Sequence, residues 1–133
     1  MIDVKIITPT GLYKECQVTQ INARSSEGEF GLLSNHMPMV VMLAISRLTL
    51  SDANGSKDYA ISGGMLHFAN NECRILTDAI EGEEEIDLER AKRAMARAQN
   101  RVDGKGTEID VNMRRAEIAL QKAINRINIK TRM

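Results

Sequence analysis

The residues best suited to chemistry in this chain are cations. Arg90, Arg93, Arg97 and Arg101 recur at helical spacing, and Arg115, Lys122 and Arg126 recur in the same way further on. Guanidinium forks match phosphate oxygens, so two such stripes brought together would hold a triphosphate. Asp87 precedes the first stripe and would repel phosphate. It therefore either serves the sugar and base side of a nucleotide or caps the helix that begins there. The other reading of the arginines is a solvated face or a contact surface for a partner, the usual role of charged helical stripes. No general base or metal-ligand cluster stands beside these groups, so a nucleotide held there is expected to be a ligand and not a substrate.

Other chemistry is sparse. There is no Gly-x-x-x-x-Gly-Lys run, no Gly-x-Gly-x-x-Gly and no His-Glu-x-x-His. His36 falls in the loop Leu33-Ser34-Asn35-His36-Met37-Pro38 and His67 in an expected strand, and neither has a nucleophile beside it in sequence. Cys16 and Cys73 form neither a disulfide framework nor a metal motif and read as reduced thiols of a cytosolic protein. Glu83-Glu84-Glu85 is read as a solvated acidic linker, since three consecutive carboxylates cannot all face one metal ion. No catalytic residues and no metal site are expected.

A formal net charge of zero hides a division. Residues 1–85 carry six basic and twelve acidic side chains, whereas residues 86–133 carry twelve basic and six acidic ones. The two parts should attract each other, and the basic part should attract phosphates or acidic protein surfaces. All four aromatic residues, Tyr13, Phe30, Tyr59 and Phe68, lie in the acidic part. A basic segment without stacking platforms argues against nucleic-acid binding. No stretch approaches the roughly 18 apolar residues of a membrane-spanning helix, and no signal-peptide pattern opens the chain.

The elements that must position these groups are of two kinds. Up to about residue 80, short runs are separated by turns: Ile2 to Thr8 and Val18 to Ala23, which alternate, Met39 to Ile45, a nearly continuous apolar run short enough for a buried strand, then Ser46 to Ser51, Lys57 to Ser62, Met65 to Ala69 and Cys73 to Thr77. Asn54-Gly55 marks a hairpin, and Glu27 to Gly31 and Gly63-Gly64 are read as breaks. This predicts an antiparallel β-sandwich over residues 1–84. From Ile86 the period becomes helical: Leu88, Ala91, Ala94, Met95, Ala98 and Val102 form one stripe, with Asp87 as N-cap. Asp103 to Thr107 stops that helix, Asp110 caps a second, and Met113, Ala116, Leu120, Ala123, Ile124 and Ile127 form its stripe. Residues 85–133 are thus expected to be an antiparallel helical hairpin. Its alanine-rich seam buries little area, so it needs a surface to lie on.

The chain resembles a known family, the epsilon subunit of bacterial rotary ATP synthases, over essentially its whole length. The resemblance rests on Ile7-Thr8-Pro9-Thr10-Gly11, Ser26-Glu27-Gly28-Glu29-Phe30-Gly31-Leu32-Leu33, Asn35-His36-Met37-Pro38 and Ile61-Ser62-Gly63-Gly64. It continues in Ile86-Asp87-Leu88-Glu89-Arg90-Ala91 and Arg114-Arg115-Ala116-Glu117-Ile118-Ala119-Leu120, in the family's order and spacing. Asn35 replaces the usual glycine and also tolerates positive φ.

The resemblance implies a non-catalytic subunit of the central stalk, peripheral to the cytoplasmic face of the bacterial membrane. Its sandwich would bind the gamma subunit and the c-ring, with Glu29 and His36 on that side. Its hairpin would lie folded on the sandwich or extend into the alpha/beta catalytic head and inhibit ATP hydrolysis. Some members bind ATP on the folded hairpin through Ile/Leu-Asp-x-x-Arg-Ala, which stands here as Ile86, Asp87, Arg90 and Ala91, with Glu81, Arg97, Lys122 and Arg126 completing the site. Lys122 replaces the arginine of ATP-binding relatives, keeping the charge and losing the planar fork. The alternative function is a free-standing ATP-sensing module without a stable partner.

Overall fold

In the computed structural model, which describes residues 1–102 and 113–131, alternation lays down the strands. They are β1 (Ile2–Thr8), β2 (Gly11–Val18), β3 (Gln20–Ser25), β4 (Gly28–Leu33), β5 (Met39–Asp52), β6 (Gly55–Ala69), β7 (Glu72–Leu76) and β8 (Ile80–Gly82). A 3-10 turn at Glu83–Glu85 leads into helices α1 (Leu88–Val102) and α2 (Met113–Thr131). Every second residue of β1 and β7 points inward, so Ile2, Val4, Ile6, Cys73 and Ile75 are buried with Leu66 and Phe68 between the layers.

One continuous ladder, in the order β2-β1-β7-β6-β5-β3-β4 with β8 on β6, folds over on itself to make both layers. The long hairpin β5–β6 belongs to both. Its Met65–Ala69 part pairs with β7, whereas Tyr59 to Ile61 pairs with β8. The strands pass between layers at Gly63-Gly64, where both residues have positive φ and the ladder skips Ala44. A Cβ on Gly64 would lie 2.0 Å from the Leu76 carbonyl oxygen, so only glycine permits this approach. The Thr77 hydroxyl donates to the Gly63 carbonyl at 2.6 Å from the buried side.

The sandwich and helical hairpin stand as expected, with local differences. β1 and β7 pair in parallel, which brings strands distant in sequence side by side. β5 and β6 are single long strands and not pairs of short ones, because the two glycines bend the ladder without ending it. β2 was concealed by its edge position, which leaves little alternation in its burial. β4 occupies Glu29 to Gly31, read above as a break: Gly31 lies against the Asn22 side chain, where a Cβ would come within 2.9 Å. Glu29 is therefore a strand residue paired with Arg24.

The expected stripes hold the hairpin together, with Ala91 and Ala98 of α1 and Ala116 and Ala123 of α2 buried. Asp87 caps α1, its Oδ1 accepting the Arg90 backbone N–H at 3.1 Å. Ile124, placed in the second stripe above, is exposed, while Ile129, outside that stripe, is fully buried. The turn expected at Asp103 to Thr107, the Asp110 cap and the Met113 side chain lie outside the described residues. No described helix is long and apolar enough to cross a membrane.

Candidate functional site

α2 has two working faces. One carries Ala116 and Ala123 toward α1; the other carries Asn125 and Ile129 toward the sandwich. Ile129 closes a small apolar cluster with Ile86 and Ala60 of β6. Around it the Asn125 amide donates to the Ser46 carbonyl at 2.8 Å, Arg47 to the Asn128 carbonyl at 3.4 Å, and Lys130 to the Glu83 carbonyl at 3.0 Å. Arg126 completes the seam through an ion pair of 2.6 Å with Glu81 of β8. The predicted attraction between acidic and basic parts is realised in this contact.

Between the helices lies a cleft of about 270 Å³. Arg97 and Arg101 line it from α1, Lys122 and Arg126 from α2, over a floor of Ala94, Ala98 and Ala119. The small floor residues let the helices approach closely enough for four cations to face one volume. Of the site residues named above, the structure brings Arg97, Lys122 and Arg126 together here, and Glu81 adjoins through Arg126. Arg101, placed in the stripe but not in that set, joins them. Arg90 and Asp87 sit at the start of α1, outside the cleft lining, and both are exposed. Ile86 and Ala91 are buried and act in packing. No group of three or more potential metal ligands occurs among the described residues.

The root of the hairpin is fastened separately. The Tyr13 hydroxyl donates to Glu85 Oε1, which also accepts the Gly82 N–H at 3.0 Å. Burial and then this hydrogen bond push the Tyr13 phenol well above its usual range, while the same bond holds the Glu85 carboxyl below the usual carboxylate range. Tyr13 meets Tyr59 edge-on at 6.5 Å, and Lys14 lies over the Tyr59 ring at 5.8 Å. The acidic run is thus an anchored turn rather than a linker. A local sequence pattern carries no signal for it, because Tyr13 and Glu85 are far apart in the chain.

A second feature is apolar. On the outer face of the β1, β2 and β7 layer, cross-strand pairing aligns Met42, Met65, Leu76, Ile7 and Leu12 in one row across five strands. Met42 is 65% exposed and Leu12 58%, and Val40, two residues before Met42 on the same face of β5, is exposed as well. His36, in the β4–β5 loop, is exposed and meets Phe68 edge-on at 6.0 Å. A contiguous exposed apolar surface of this kind marks an interaction face. Glu29 lies elsewhere, lining a polar cleft of about 630 Å³ with Arg24, Arg47, Asn125 and Asn128. The structure therefore separates Glu29 from His36.

A β-sandwich fastened to a two-helix hairpin, with one apolar row on its outer face and a cationic inter-helix cleft, is the architecture of a subunit built to dock on others. Residues 1–83 match the beta-sandwich domain of the ATP synthase delta/epsilon chain, and residues 84–130 match its long alpha-helix domain. The chain belongs to the delta/epsilon family of ATP synthase subunits. It is 40% identical over 122 residues to an ATP synthase epsilon chain of Desulforamulus reducens, covering 92% of this chain and 91% of that one. It is 34% identical over 131 residues to that of Ligilactobacillus salivarius, covering 97% and 94%. Among solved structures, a chain of the Euglena gracilis mitochondrial ATP synthase OSCP/F1/c-ring assembly superposes with a TM-score of 0.79 at 29% identity, covering 93% of this chain and 78% of that one. A chain of the Tetrahymena thermophila central stalk/c-ring assembly shares the fold, with a TM-score of 0.61 at 18% identity, covering 98% of this chain and 94% of that one.

Proposed function

We propose that this chain is a non-catalytic rotor subunit of an F-type ATP synthase, working at the cytoplasmic face of the bacterial membrane. Its sandwich docks on the gamma subunit through the Met42–Leu12 row and the His36 loop, and Glu29 faces the c-ring side. Its hairpin is a regulatory arm. Docked on the sandwich, it leaves ATP hydrolysis uninhibited; released, it enters the alpha/beta head and inhibits.

The observation that carries this reading is how lightly the hairpin is held. It rests on the sandwich through α2, by three apolar side chains and a ring of polar contacts. Two docked states a few kcal/mol apart are what a switch requires.

ATP is the ligand we assign to the cationic cleft. Arg97, Arg101, Lys122 and Arg126 would hold its phosphates, and Arg126 would share its charge between them and Glu81. By bridging α1 and α2 the nucleotide would favour the compact hairpin and thus the uninhibited state. Calorimetric titration of the isolated chain with ATP tests the assignment. Saturable binding lost in Arg97→Ala and tightened in Lys122→Arg is expected; absence of binding at millimolar ATP would leave the arginines as a docking surface alone.

A further inference from the structure

Two methionines occupy the middle of the apolar row. Met42 of β5 and Met65 of β6 are direct cross-strand partners, and Met65 in turn pairs with Leu76. Both point outward, because their strand neighbours Leu43 and Leu66 point into the core. Met42 is 65% exposed, and Met37, between β4 and β5, is 75% exposed. Met39 and Met95 differ: the first packs against the sandwich core, and the second is half-buried along the hairpin. Met65 is half-buried as these two are, so Met42 carries the exposed sulfur of the row, and Met1 and Met37 are the other exposed ones in the sandwich.

We propose that Met42 and Met65 are an oxidation site that controls docking of the sandwich on its stalk partner. The proposal rests on the docking role assigned to that face above. The oxidant is a peroxide. A thioether lone pair attacks one peroxide oxygen, the S–O bond forms as the O–O bond breaks, and the departing hydroxide takes up the remaining proton as water. Sulfur loses two electrons and the peroxide gains them. The product sulfoxide is polar and chiral where the thioether was apolar and adaptable.

Docking would bury that S=O group in an apolar row whose neighbours, Leu76, Ile7 and Leu12, donate no side-chain hydrogen bond. Unoxidised, the same two side chains are suited to fill an irregular partner surface. The chemistry acts on the free chain, since a docked partner covers both sulfurs. Oxidation would therefore limit assembly and leave assembled enzyme untouched. Dithiol-dependent reduction of the sulfoxide restores the face.

The test uses the full chain, hydrogen peroxide as probe and the isolated gamma subunit as partner. Peptide mass mapping after graded peroxide treatment is expected to show a 16 Da gain at the exposed Met1, Met37 and Met42 before the half-buried Met39, Met65 and Met95. The oxidised chain is expected to bind gamma about tenfold or more weakly, with unchanged circular dichroism. The double variant Met42→Leu/Met65→Leu is read against itself: its affinity for gamma after treatment is expected to equal its own affinity before treatment, whatever that is relative to wild type. Equal binding by oxidised and untreated wild-type chain would overturn the oxidation proposal and leave the docking role standing. Loss of binding in the treated double variant as well would also overturn it, by moving the effect to other residues. Failure of the untreated wild-type chain to bind gamma would remove the docking role and the proposal with it.

Discussion

Arg126 donates from Nε to Glu81 Oε1 at 2.6 Å, tying α2 to β8 across the boundary between helices and sandwich. Both side chains are partly shielded, at 29% and 34% exposure. Removing either charge, in Arg126→Gln or Glu81→Gln, is expected to weaken hairpin docking by about 1 kcal/mol. The effect should shrink as salt is raised. A double-mutant cycle on hydrogen-exchange protection in α2 measures the coupling; strict additivity of the two variants would show that the pair does not hold the hairpin.

Ile129 is fully buried against Ile86 and Ala60. Ile129→Ala should cost docking about 2–4 kcal/mol, the usual range for deleting a buried aliphatic side chain. The loss is local. Amide protection in α2 is expected to fall while that of β1, β6 and β7 stays at the wild-type level, because Ile129 does not belong to the sandwich core.

Gly64 is the tightest point of the sandwich. Gly64→Ala adds a Cβ that would overlap the Leu76 carbonyl at a φ of 134°. Backbone must move for it to fit, so urea unfolding is expected to show a loss of about 3 kcal/mol or more. Gly11→Ala, also at positive φ but with open space around it, should cost less.

The Tyr13–Glu85 contact makes the hairpin root sensitive to pH. Glu85 has a folded-state pKa below its unfolded value, so its contribution is present above the unfolded value and is lost as pH falls through the folded one. Tyr13 is shifted upward, so its contribution is present below the unfolded phenol value and is lost as alkaline pH rises toward the folded one. Stability measured from neutral to acid pH is expected to fall less steeply in Glu85→Gln than in wild type. Tyr13→Phe should flatten the alkaline limb and part of the acid limb, since Glu85 keeps its bond to the Gly82 N–H.

Where a physical signal is local, it was legible in the sequence. Alternation gave β1 and β7, Asn54-Gly55 gave the β5–β6 turn, and the alanine stripe gave the helix seam. The charge division anticipated the Arg126–Glu81 attraction without naming the pair. What stayed hidden depends on tertiary placement. β2 alternates poorly because it is an edge, β4 carries Gly28 at positive φ and Gly31 against the Asn22 side chain, and β5 and β6 bend without breaking. Ile129 lies outside the stripe facing α1 because α2 has a second face, which only the docked arrangement reveals. Arg97, Lys122 and Arg126 were selected together by resemblance and meet in one cleft, whereas Arg90, two turns before Arg97 on the same stripe, lies outside its lining.

The central claim is that the docked hairpin is the uninhibited state and is held by α2. ATP hydrolysis by the ATP synthase catalytic complex, reconstituted with wild-type chain or Ile129→Ala at equal occupancy, tests it most directly. Hydrolysis reduced at least about twofold is expected with Ile129→Ala, since weakened docking would populate the released arm. Hydrolysis equal to or faster than wild type would contradict it.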